Sequence, residues 1–412
     1  MPFSSLGLSC SLLRAVSARA YLTPTPVQVA AIPAILQGRD VLGCAQTGSG
    51  KTAAFVLPLL QQLENVAQER ARQPRALILV PTRELCAQVG QEIRTLAQHL
   101  PMAIKVSTLF GGVSINPQMM RLRGGCDFVV ATPGRLLDLI AHNALSLGGV
   151  ATLVLDEADR LLDMGFAEEL GRVLALLPPK RQNLFFSATF PPAVQALAQT
   201  LLHEPVHIEV LPTPQNLPDI TQRAIAVDTH RRTQLLRHLI GQNHWRCVLV
   251  FVATKHAAEI VADKLRKAHI NAEPFHAALS QGKRTQVLAD FKTERINVVV
   301  ATDVAARGLD IAQLPVVVNY DLPRSAVDYI HRIGRTGRAG ESGVAVSFVS
   351  ASTLAHFRLI EKRHHLHIQL ENVEGFEPLE TAVEGAPAPS PGSGGIKGKR
   401  PSKKDKIRQK SL

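Results

Sequence analysis

A chain of 412 residues with 46% hydrophobic side chains is too long for one ordinary domain and comfortable for two. Aromatics make up only 4%, so the cores must be aliphatic, as in buried parallel sheets, and no apolar run approaches the roughly 18–20 residues needed to cross a bilayer. Much of the net charge of +12 sits at the end, where residues 397–412 hold eight Lys or Arg against one Asp, a concentration that favours a polyanionic partner over a merely soluble surface.

The five cysteines (Cys10, Cys44, Cys86, Cys126, Cys247) are odd in number and scattered. They argue against a disulfide framework or zinc site and fit a reducing, cytoplasmic setting. The first twenty residues contain Ser and Arg and no acid, which a transit peptide would also display. Short apolar runs then follow in order. The first, residues 40–44, leads into residues 45–52, Ala-Gln-Thr-Gly-Ser-Gly-Lys-Thr. In such a loop consecutive backbone N–H groups at a helix N-terminus surround phosphates. Ala45, Gln46, Thr47, Gly48, Ser49 and Gly50 would form the cradle, Lys51 would reach the β- and γ-phosphates, and Thr52 would ligate Mg²⁺.

Further runs at 76–80, 127–130, 153–155 and 184–186 are continuous rather than alternating, so they predict strands buried on both faces of a parallel sheet. The third ends in residues 156–159, Asp-Glu-Ala-Asp. Asp156 fits a Mg²⁺ ligand at a strand's carboxyl end, and Glu157 a base that orients and deprotonates water. Alone these acids would read as a helix cap; with the glycine loop upstream they read as a nucleotide-hydrolysis site.

Residues 211–218 carry three prolines and predict a linker over 211–220. Apolar runs at 247–252, 297–300, 316–318 and 344–348 then repeat the layout without a close sequence repeat. Residues 386–395 are rich in Pro, Gly and Ser, and the basic stretch beyond them lacks apolar periodicity, which predicts a disordered tail. If all eight of its cations engaged a single strand, the salt slope of binding would steepen by up to ~5–6.

The order and spacing of these motifs resemble the DEAD-box RNA helicase family over about residues 1 to 370. Residues 21–28, Tyr-Leu-Thr-Pro-Thr-Pro-Val-Gln, look like its Q motif, which implies that Tyr21 stacks on the base, Gln28 bonds the adenine edge and Phe3 packs nearby. The family usually has Gly where Ala20 stands. A cleaved leader would destroy this motif, so the transit-peptide reading loses. The resemblance implies that Ser187 and Thr189, with Asp159 and His331, couple hydrolysis to unwinding, and that Arg335 and Arg338 reach the γ-phosphate from the second half. It further implies that Asp310 binds the ribose.

RNA contacts are implied at Pro81, Thr82, Arg83, Gly112, Thr132, Pro133, Gly134 and Arg135, and in the second half at Thr254, Gln281, Arg284, Thr302 and Arg307. Each cluster alone is equally a cap or a turn. Contacts to sugar hydroxyls would favour RNA over DNA without reading sequence.

The fold implied is α/β, two tandem RecA-like domains, each a mostly parallel sheet with helices on both faces. The N-terminal domain covers 1–210, including a Q-motif segment at 1–29, and the C-terminal domain covers 221–380. A disordered basic tail runs over 381–412. The cofactors implied are ATP and Mg²⁺; the partners are single-stranded and short duplex RNA, with ribosomal precursors or RNA-degradation proteins compatible. The opening residues 2–8 and the short basic extension look similar to the bacterial RhlE-type subgroup. An ATP-gated RNA clamp or annealing chaperone and a DNA translocase remain as other readings; strand displacement separates the first, and stimulation by DNA the second.

Overall fold

A computed structural model describes residues 1–45, 48–64, 72–209, 220–306, 314–337 and 342–379. The first half contributes β1 (Val41–Cys44), β2 (Ala76–Leu79), β3 (Val106–Leu109), β4 (Phe128–Ala131), β5 (Thr152–Asp156), β6 (Gln182–Ser187) and β7 (Val206–Glu209). The second contributes β8 (Ile220–Ala226), β9 (Val248–Val252), β10 (Ala272–Phe275), β11 (Val298–Thr302), β12 (Val316–Asn319), β13 (Gly343–Val349) and β14 (Leu370–Glu371).

The sheets run β3-β4-β2-β5-β6-β1-β7 and β10-β11-β9-β12-β13-β8-β14. The second order is the first shifted by seven strands, so a repeat absent from the sequence is present in the topology. Every pairing is parallel, as in β1 with β6 (Val41 opposite Leu184) and β9 with β11 (Val248 opposite Val298).

The continuous apolar runs serve two cores at once because successive side chains leave opposite faces. Ile78, Val154, Leu184 and Phe186 join one cluster with Phe3, Ile32 and Phe55. Their neighbours Leu77, Leu79, Leu153, Leu155 and Phe185 join the cluster on the other face. In the second lobe Val248, Val250, Val298 and Val316 face one core, while Leu249, Phe251, Val299 and Val317 face another.

Five strands were not expected from sequence. β3, β7, β10 and β14 lie at or beside sheet edges, where one side is exposed and the apolar run is broken. β10 even contains Pro274, which an edge tolerates because one flank needs no ladder bonds. The remaining strand, β8, starts at Ile220, so the last residue of the expected 211–220 linker is already strand. The rest of that linker and the tail from 380 lie outside the described residues. Among the described residues no helix is long and apolar enough to cross a membrane.

In an open parallel sheet ligands gather at the carboxyl ends of the strands, near the point where strand order reverses. Here residues 45–52 follow β1, 81–84 follow β2, 132–135 follow β4, Asp156 ends β5 and Ser187 ends β6. Five motifs far apart in sequence therefore share one edge of five adjacent strands.

Candidate nucleotide and RNA site at the seam of two lobes

The loop after β1 needs glycine at two positions, Gly48 and Gly50, with φ of 84° and 89°. At Gly50 a Cβ would also sit 2.5 Å from the Gln28 amide nitrogen and 2.9 Å from Thr25 Oγ1. Gln28 uses that closeness: its Oε1 accepts from Thr25 N at 2.9 Å and its Nε2 donates to the Gly50 carbonyl at 3.1 Å. One amide proton and one lone pair remain for a base, so an adenine contact at Gln28 would bear directly on the phosphate loop. Lys51 is buried, its ammonium donating to the Ala45 carbonyl at 2.7 Å. Thr52 follows it in the first turn of the helix Lys51–Glu64. Gln46 and Thr47 lie outside the described residues.

Tyr21 is half-buried against the first core. Its hydroxyl donates to Glu92 Oε1 at 2.8 Å, and Arg19 pairs with the other Glu92 oxygen at 3.2 Å. Burial, then the neighbouring Glu92, pushes the phenol's pKa up. Ala20 sits at φ 53°, in the left-handed region, which explains why glycine is common at this position. Phe3 is buried in the first core.

Asp156 is 3% exposed. Burial pushes its carboxyl up to about 6, with Lys51 acting in the opposite sense. A buried carboxylate whose burial disfavours its charge, on the same sheet edge as the phosphate loop, fits Mg²⁺, which keeps water and substrate oxygens and takes few protein ligands.

Glu157 adopts φ 52°, ψ 51°, a backbone state costing a non-glycine residue roughly 1–2 kcal/mol. Its N–H donates to Asp156 Oδ1 at 3.0 Å. Asp159 is clamped: Ser187 Oγ accepts its N–H at 3.2 Å, and its Oδ2 accepts from Thr189 N at 3.2 Å and Thr189 Oγ1 at 2.7 Å. Neither Ser187 nor Thr189 is the N-cap of the helix that follows, a place held by Pro191; both fix the last acid of the tetrapeptide.

The helix Arg83–Ala97 starts at Thr82, whose hydroxyl oxygen accepts from Leu85 N at 3.2 Å, leaving the O–H free to donate. Thr254 caps the helix Lys255–Arg266 in the same way, through Ala257 N. Gly112 admits the Arg83 guanidinium, which leaves no room for a Cβ there. Pro81 lies between β2 and Thr82. Thr132 precedes the helix Pro133–Ala141, whose second residue is Gly134. Arg135 in that helix is 9% exposed. Its Nη2 donates to the Val113 carbonyl at 2.8 Å and its Nε lies 3.6 Å from Asp138 Oδ2, while Nη1 has no hydrogen-bond partner; a buried donor of this kind needs an acceptor, and an RNA phosphate would supply one.

Residues of the second lobe complete the site. Gln281 opens the helix Gln281–Lys292 and Thr302 ends β11. Arg284, expected to contact RNA, lies in the seam. Its Nη2 is 2.9 Å from Glu84 Oε1 of the first lobe, both side chains are at most 7% exposed, and its guanidinium stacks 5.0 Å from the Phe275 ring. His331 faces Arg160 and Asp159 of the first lobe and Arg335 of its own; enclosure, then Arg160, pushes its pKa down to about 3. Arg335 is buried beside it. Arg307, Asp310 and Arg338 lie outside the described residues.

Sequence reasoning passed over Glu84, Glu92 and Arg160. Glu84 sits in the first turn of its helix, where an acid is ordinary, and its partner Arg284 in the other lobe leaves no local trace.

The DEAD/DEAH box helicase family matches residues 25–197, and the helicase conserved C-terminal domain matches residues 231–340. SrmB, an ATP-dependent RNA helicase of Escherichia coli, is 42% identical over 385 residues, 92% of this chain and 83% of that protein. A DEAD-box ATP-dependent RNA helicase of Bacillus cereus, CshA, is 40% identical over 360 residues, 87% of this chain and 67% of the relative. The solved structure of Saccharomyces cerevisiae Dbp5 bound to RNA and ADP BeF3 is 31% identical, covers 90% of this chain and 95% of its own, and superposes with a TM-score of 0.80. Both lobes therefore sit relative to each other much as they do in that complex.

Two parallel-sheet lobes with a phosphate loop in one and a facing arginine set in the other define a two-lobed nucleotide hydrolase that acts on RNA. The chain belongs to the DEAD-box family of ATP-dependent RNA helicases.

Proposed function

We propose that this chain binds ATP with Mg²⁺ in the first lobe and turns it over only when RNA draws the second lobe onto the nucleotide. The observation that carries this reading is the seam itself, where Glu84 meets Arg284 and where Arg160 and Asp159 meet His331 and Arg335. Tyr21 and Gln28 would hold the adenine, Lys51 the terminal phosphates and Asp310 the ribose, while Glu157 would orient water and accept its proton. Thr52 and Asp156 would hold Mg²⁺, whose charge offsets that building on the phosphate oxygens. Arg335 and Arg338 would complete the electrostatic cage from the opposite lobe.

RNA would lie along the edge formed by Thr82, Arg83, Thr132, Arg135, Thr254, Gln281, Thr302 and Arg307, held through its backbone without regard to sequence. Closing both lobes on one strand would bend it and release a short partner strand. The cytoplasm is the proposed location, and the assembly or decay of structured RNA the proposed setting; SrmB and CshA, named as ATP-dependent RNA helicases, support the action on RNA.

The test is strand displacement on a short RNA duplex. ATP-dependent loss of the duplex, with RNA stimulating turnover more than single-stranded DNA of the same sequence, is expected. RNA-stimulated turnover without displacement would make the chain a clamp, and equal stimulation by DNA would remove the RNA assignment.

A further inference from the structure

Arg160 directly follows the Asp-Glu-Ala-Asp tetrapeptide, yet none of the roles above uses it. It is 4% exposed, and arginine is rarely buried without a specific partner. Its Nη1 lies 3.3 Å from Oε2 of Glu157, itself 6% exposed. Its backbone N–H donates to Asp159 Oδ1 at 3.0 Å, so it shares the anchorage that Ser187 and Thr189 give to Asp159.

On its other side Arg160 lines a small cleft with Phe251, Asp303, Asp328, His331, Arg332 and Arg335, all from the second lobe. Arg332 is engaged there by both oxygens of Asp303, at 2.6 and 2.7 Å, and by Asn319. Arg160 thus touches the base on one side and the closing lobe on the other.

A base must offer one lone pair in a fixed direction, and a displacement of about 1 Å can cost on the order of 10²-fold in rate. Glu157 projects from left-handed backbone at the very start of the six-residue helix Ala158–Asp163, and Arg160 Nη1 donates to its carboxylate from 3.3 Å. An ion pair to Oε2 sets that plane and leaves Oε1 for the attacking water. The strength of such a pair depends on exclusion of solvent, and the second lobe is what covers Arg160.

We propose that Arg160 is a positioning residue for the hydrolytic base: it fixes the Glu157 carboxylate, and closure of the second lobe over the cleft tightens that grip. The inference rests on the reading of Glu157 as the base. It gives RNA-driven closure a second effect on hydrolysis, separate from delivering Arg335.

The experiment is the RNA-stimulated kcat and ATP KM of Arg160→Met, Arg160→Lys, Glu157→Gln and the Glu157→Gln/Arg160→Met double variant, on the full chain, with binding of a non-hydrolysable ATP analogue and of RNA measured alongside. Arg160→Met should lower kcat roughly 10–100-fold, a part of what acid–base groups contribute, with KM changed less than about threefold. Arg160→Lys, which keeps the charge for a single contact, should recover most of that loss. The double variant should be no slower than Glu157→Gln alone, because the two side chains act as one unit.

If Glu157→Gln turns over at the parent rate, the base reading itself fails. If Glu157→Gln is inactive but Arg160→Met matches the parent, the base stands and the positioning role is overturned. Equal losses in Arg160→Met and Arg160→Lys, or losses that multiply in the double variant, would likewise overturn it and leave Arg160 a structural residue.

Discussion

At the scale of single residues, the site is built from backbone states that side chains resist. Gly48 and Gly50 are free to take positive φ, whereas Ala20 and Glu157 take it at a cost. For Glu157 the cost places an acid next to Asp156 at the end of β5. For Ala20 no compensating contact is visible, so Ala20→Gly should stabilise the chain by about 0.5–1 kcal/mol. Thermal melting should rise by ~1–3 °C; a lower Tm would mean that the methyl group packs against something the chain needs. The phosphate loop and the Asp156–Asp159 acids were legible in the sequence because their chemistry resides in contiguous residues. Arg160, Glu92 and the pairing of Asp159 with Thr189 were not, because each gains its meaning from a partner in another element.

At the scale of elements, the helix Arg83–Ala97 joins three tasks. Thr82 and Arg83 at its start lie on the proposed RNA edge, Glu84 reaches Arg284 of the second lobe, and Glu92 two turns on holds the Tyr21 hydroxyl. The Glu84–Arg284 pair is buried on both sides, so removing one partner leaves a desolvated charge, which typically costs 3–5 kcal/mol. Since the pair exists only when the lobes meet, that cost falls on closure rather than on folding of either lobe. Glu84→Arg and Arg284→Glu should each weaken ATP-dependent RNA binding by roughly 10²-fold or more, and the double swap should recover part of it. A double swap no better than either single would locate Arg284's role on the RNA instead. Strands were legible wherever burial on both faces made the apolar run continuous. They were missed at edges such as β7, where exposure dilutes the signal, and at β10, where Pro274 reads as a break.

At the scale of the whole molecule, two lobes with the same strand order present the carboxyl edges of their sheets to one seam. The two halves could be read in the sequence, but the identity of their topologies is visible only in three dimensions, since buried aliphatic strands tolerate many exchanges of Val, Ile and Leu.

The seam should also confer pH dependence. In the closed arrangement His331 faces Arg160, Asp159, Arg335 and Asp328, and its pKa falls from 6.5 to about 3. A group depressed in this way favours closure above its ordinary pKa and loses that contribution as pH falls below it. Each unit below pH 6.5 should cost closure up to ~1.4 kcal/mol. RNA affinity with a non-hydrolysable ATP analogue should therefore drop up to about tenfold between pH 6.5 and 5.5, and His331→Asn should flatten that drop. An equally steep profile in His331→Asn would assign the effect to other groups.

The account as a whole claims that hydrolysis waits for an arginine delivered by the opposite lobe. The most direct measurement is the RNA-stimulated kcat of the full chain carrying Arg335→Ala, with folding checked by its melting temperature and ATP binding measured separately. The account predicts a fall of roughly 10³-fold or more with nucleotide still bound. RNA-stimulated turnover at the parent rate would contradict it.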